Sequence, residues 1–97
     1  MVTVVWRKGA LAHLNKNYNH IKKDSLKSAK KVRDTIFDIA ESLKDNPEIY
    51  PLDKYRNNNK GDIRAFEKYS LRVAYQVTKK EIRIIRVRHT SREVLEY

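Results

Sequence analysis

Leu71-Arg72-Val73-Ala74-Tyr75-Gln76-Val77 alternates along its whole length. On an extended chain Leu71, Val73, Tyr75 and Val77 share one face and Arg72, Ala74 and Gln76 the other, which predicts a strand with one face committed to a core. On either side lie two further strand-like stretches, about Asp62–Lys68 and Glu81–His89. The breaks between them, Tyr69-Ser70 and Thr78-Lys79-Lys80, suit hairpin turns, so the three strands read as an antiparallel meander. Upstream, both prolines and the run Asn57-Asn58-Asn59-Lys60-Gly61 mark Pro47 to Gly61 as a loop.

Farther from the meander the period changes. Leu11, Leu14, Tyr18 and Ile21 recur at three- and four-residue steps, one stripe of a helix. Asp24 or Ser25 can cap a second helix whose apolar positions run from Leu26 to Leu43, and Asn46-Pro47 stops it. Few polar residues separate the two, so an antiparallel helical hairpin is expected. Val2-Thr3-Val4-Val5-Trp6 reads as an opening strand. The expected fold is α+β in the order β-α-α-β-β-β. A single domain, residues 1–97, packs its hairpin on one face of a four-stranded, mainly antiparallel sheet and leaves the other face for function.

Net charge is +10, and it is blocked: +8 from Arg7 to Arg33, −5 from Asp34 to Asp53, and +7 from Lys54 onward. Such a field draws polyanions toward the surface. The chain has no cysteine, which excludes disulfides and thiolate metal sites and fits a reducing cytosol. No apolar run approaches the roughly 18 residues of a membrane span, and the opening residues lack the order of a secretory signal. Phosphate-binding glycine loops, dinucleotide fingerprints and zinc spacings are missing too, so neither cofactor nor metal is expected. His13 and His20 stand seven residues apart without acidic companions nearby.

Basic residues concentrate in the meander. Arg64 shares a face with Phe66, Arg72 sits among apolar neighbours, and the last strand carries Arg83, Arg86 and Arg88 before ending in His89. In ordinary register Arg64, Arg72 and His89 should converge on the open face, with Arg92 in the tail beyond. Arginine offers planar donors to phosphate oxygens, and a histidine can carry a proton to or from them. Lys60, Arg86, Arg88 and the aromatic Tyr97 are the candidate substrate contacts, since an exposed ring can stack on an unpaired base. Blander roles stand beside these: Arg72 paired with Glu67 or Glu81, the last strand's arginines as a solvated edge, and Tyr97 frayed. Trp6, Tyr18 and Tyr75 read as core or core rim.

Three stretches in order, Gly61-Asp62-Ile63-Arg64-Ala65-Phe66, then Leu71 to Val77, then Ile82 to Arg92, follow an opening strand and a basic helical hairpin. Together they resemble the RelE/ParE toxin superfamily over nearly the whole chain. The resemblance implies a toxin encoded beside an antitoxin, whose extended acidic segment lies across the toxin's groove. RelE-like members enter the ribosomal A site and cut mRNA using the 2′-hydroxyl. ParE-like members poison DNA gyrase and need no cleavage residues.

Arg72 matches the phosphate-stabilising arginine of the cleaving branch, and His89 resembles its strand-end general acid. Arg64 and Arg92 complete the candidate catalytic set, with Glu48, Asp53 or Glu67 as the base. This pairing favours ribosome-dependent mRNA cleavage. The gyrase reading draws on Arg64-Ala65-Phe66, standing where the cleaving branch has paired lysines, and on His89-x-x-Arg92. Two further alternatives are an inactive toxin-like subunit and a double-stranded-RNA-type binding module. The latter would lack the opening strand.

Overall fold

The computed structural model describes residues 2–97. Its elements are β1 (Thr3–Trp6), α1 (Lys8–Lys22), α2 (Leu26–Ser42), β2 (Ile63–Lys68), β3 (Leu71–Val77) and β4 (Glu81–His89). They form one four-stranded sheet in the order β1-β4-β3-β2. The meander is antiparallel, while β1 runs parallel to β4, with Thr3 opposite Glu81 and Trp6 opposite Ile84. Among the described residues no helix is long and apolar enough to cross a membrane.

Local chemistry sets the boundaries. Ser25, in extended conformation, accepts from the Ser28 amide and so starts α2 by satisfying one of its unpaired first-turn N–H groups. Between β2 and β3, Tyr69 (φ 53) and Ser70 (φ 62) are both left-handed, as a two-residue turn matched to strand twist requires. The β3–β4 turn closes through Thr78, whose hydroxyl oxygen accepts from the Glu81 amide at 3.0 Å.

The helix-side face holds the main core. Leu14, Ile36 and Leu43 from the helices and their C-terminal flank meet Leu71, Val73, Tyr75, Ile82, Ile84 and Val87 from the sheet, with Trp6 edge-on to Phe37 at 4.9 Å. Tyr75 is fully buried there and donates to the Pro47 carbonyl at 2.8 Å.

A register shift at Ala74/Tyr75 leaves Ile85 as an extra residue of β4. This bulge changes the parity of the strand. Arg83 pairs with Gln76, Arg86 with Ala74 and Arg88 with Arg72, so all three arginines start from the open face. That face carries a smaller apolar cluster of its own: Ile63, Ala65 and Ala74, with Ile85 and Tyr97 against it.

Candidate functional site

Register divides the expected site. Arg72 lies on the open face beside Glu67 and Arg88. Arg64 is paired with Tyr75 and His89 with Leu71, and both partners are helix-side residues. The expected convergence of Arg64, Arg72 and His89 is therefore corrected: directly opposed residues share a face, and Arg64 and His89 belong to the face opposite Arg72. Arg64 instead donates to the Tyr50 carbonyl at 2.7 Å and ties the long loop to β2.

The open face is organised around Asp53, which is 3% exposed. Its Oδ1 accepts from Arg72 Nη2 at 2.8 Å and from the Tyr55 amide at 3.1 Å, and its Oδ2 accepts from the Tyr97 hydroxyl at 2.7 Å. Burial on its own would raise the Asp53 carboxyl, but these donors outweigh it and hold the group below its ordinary value. Arg72 also donates to Glu67 at 2.6 Å and lies over the Tyr55 ring at 4.8 Å. Its side chain is 12% exposed. Burial opposes the Arg72 charge, but the two carboxylates prevail and raise it above its ordinary value. Pairing with Glu67, the blander expectation, is what Arg72 does.

Tyr97 is not frayed. Its amide donates to the Tyr55 carbonyl at 3.0 Å, and its own carbonyl accepts from the Asn57 amide. Arg86 stacks on one side of its ring at 4.1 Å and Arg56 lies at 5.0 Å. Arg86 also donates to the carbonyls of Leu95 and Val94. Half-buried beside Arg88, it has its charge disfavoured. The tail thus lies across the open face as a strap. Burial and the Asp53 carboxylate push the Tyr97 phenol well up, so it stays a donor.

The remaining candidates lie elsewhere. Lys60 borders a small cavity with Arg56, Asn58, Asn59, Asp62 and Gln76, at the far end of the open face. His89 and Arg92 line a cleft of about 250 Å³ between α1 and the end of β4, over a floor of Leu71 and Val87. His13, Lys16, Asn17, His20 and Glu93 complete its wall. Arg88 turns over the uncovered part of the β4 edge to donate to His13 Nδ1 at 2.6 Å. Glu93 accepts from the His89 amide at 2.9 Å. That bond, with the charges of Arg88 and Lys16, outweighs burial and lowers the Glu93 carboxyl. Sequence reasoning set His13 and His20 aside, although their helical spacing already placed them on one side of α1.

Of the proposed bases, Asp53 and Glu67 are bound to Arg72 and Glu48 stands exposed in the loop. Tyr55 and Arg56 were missed, because only the folded loop brings them to Tyr97. Among the described residues no group of three side chains is placed to hold a metal ion.

The sequence matches the family described as ParE toxin of type II toxin-antitoxin system, parDE, over residues 4–94. No curated protein matches. Among solved structures the chain is similar to one from the chromosomal ParDE toxin-antitoxin system of P. aeruginosa, at 21% identity and a TM-score of 0.72. That likeness covers 94% of this chain and 98% of that one. It is also similar to a chain of the YoeB dimer of Staphylococcus aureus, at 16% identity and a TM-score of 0.50, over 88% and 92% of the two chains. At these identities the two structures show the shared fold.

Proposed function

Because the chain belongs to the ParE toxin family of type II toxin–antitoxin systems, we propose that it acts by occupying its target, DNA gyrase, and not by cutting RNA. One observation carries this reading: the arginine that cleavage would need is already spent. Arg72 holds Asp53 at 2.8 Å and Glu67 at 2.6 Å. A phosphate arriving there would have to displace two carboxylates, one of them buried. The floor beside it is Ile63, Ala65 and Ala74, apolar where a developing negative charge would call for donors. His89 is on the far side of the sheet. Asp53 or Glu67 as base, His89 as acid and Arg72 as cation do not face a common point, as phosphodiester cleavage requires. A target-occupying protein needs a shaped, stable surface, and the strapped open face supplies one.

Its silencing partner is an antitoxin with an acidic segment, matched to the +10 charge of the chain. The cleaving reading retains one observation in its favour: His89, Arg92 and Lys16 share a cleft.

Purified protein added to a gyrase supercoiling reaction should inhibit it, while mRNA on translating ribosomes gains no new 5′ ends. New ends inside codons, abolished by Arg72→Ala with His89→Ala, would overturn the proposal in favour of cleavage.

A further inference from the structure

Unpaired positive charge is densest on the helical hairpin, although Lys54, Lys60, Lys68, Lys79 and Lys80 are also exposed and without an ion pair among the described residues. Arg72 is held by two carboxylates, Arg83 by Glu81 at 2.8 Å, and Arg86 by carbonyls of the tail. By contrast Lys16, Lys22, Lys23, Lys27, Lys30 and Lys31 are all exposed, and none forms an ion pair among the described residues. They cluster where α1 ends and α2 begins, with Asp24 the only acid in that stretch. At about 100° per residue Lys16 and Lys23 fall close together on α1, and Lys27 and Lys31 on α2, on the outward side of each helix.

At the start of α2 this arrangement works against the helix's own stability. Lys27 and Lys30, and Lys27 and Lys31, are like charges at spacings where opposite charges would stabilise a helix. The first turn of α2 has no acidic residue, although the positive end of the helix dipole favours one there. A surface evolved only for solubility mixes signs, as the second half of α2 does with Arg33, Asp34, Asp38 and Glu41. Concentrated, unpartnered lysines are instead complementary to a polyanion held against them.

We infer that the hairpin tip is a docking surface for the phosphate backbone of duplex DNA. Packed helices lie ~8–10 Å apart, a separation on the scale of the roughly 12 Å major groove of duplex DNA. Asn19, Ser25 and Ser28 in the same stretch are of the kind that donate to phosphate oxygens. Leu26 is the one large apolar side chain exposed at the tip, at 46%, whereas a peptide groove would be built from several. The choice of duplex DNA rests on the gyrase reading, since gyrase handles duplex DNA.

The test uses purified full-length protein and a labelled duplex of about 20 base pairs, without gyrase, read by fluorescence anisotropy. Neutralising four phosphates predicts an affinity loss of about a hundredfold between about 50 and 200 mM salt. K27E/K30E should weaken binding by more than about tenfold and flatten the salt slope by nearly two. The charge-matched K79E/K80E, on the β3–β4 turn, should stay close to wild type, and the circular dichroism of both variants should match it. Equal losses in the two variants would overturn the inference, because net charge alone would then explain binding. So would a K27E/K30E variant that binds the duplex as tightly as wild type. Because gyrase is absent, failed supercoiling inhibition would remove the proposed function without touching this result.

Discussion

A carboxylate as buried as Asp53 survives ionised only where donors replace its water. Arg72, Tyr97 and the Tyr55 amide do so, and in return the carboxylate joins the loop, β3 and the tail at one point. Asp53→Ala removes one partner of a buried ion pair, and we expect a loss of about 3–5 kcal/mol in urea unfolding. The pH dependence has two limbs. The Asp53 carboxyl is lowered in the folded state, so its contribution is present above its unfolded value and lost as pH falls below about 4. Asp53→Asn should flatten that acid limb. Tyr75 is pushed up to about 12, and Tyr97 is raised as well. The stability they add is complete below pH ~10 and is lost as pH climbs past that value. The acid itself was legible in the sequence. Its partners, at positions 72 and 97, were not, because nothing local links residues so far apart.

At the level of elements, alternation located β3 because one of its faces is committed to a core. The side on which an arginine emerges depends also on register. Arg64 sharing a face with Phe66 was readable, and once Phe66 is core, Arg64 follows it to the helix side. The doubled isoleucine in Ile82-Arg83-Ile84-Ile85-Arg86 was the trace of the bulge, since no unbroken alternation puts Arg83 and Arg86 on one face. The Tyr69-Ser70 turn carries a different lesson. Its left-handed conformation costs roughly 1–2 kcal/mol per non-glycine residue, and neither residue is of the type that adopts it readily. Replacing the pair by Asn-Gly should stabilise the protein by about 1 kcal/mol or more, read as a higher urea midpoint at unchanged m.

For the molecule as a whole, charge is segregated along the chain, and long-range attraction should set how fast the antitoxin finds it. Association measured by stopped flow should slow by about tenfold or more from low salt to about 0.5 M, while dissociation changes less. A rate that stays flat would remove electrostatic steering from the account. The parallel pairing of β1 with β4 has a consequence in time. Thr3 must find Glu81, and a contact spanning most of the chain is the slowest kind to close. At a synthesis rate of roughly 5–20 residues per second, β1 waits some seconds for its neighbour. The tail that Arg86 clamps is made later still. While the chain is being translated, then, a ribosome carries a helical hairpin and half a sheet with no finished face to offer, and the poison is assembled only after its last strand is made.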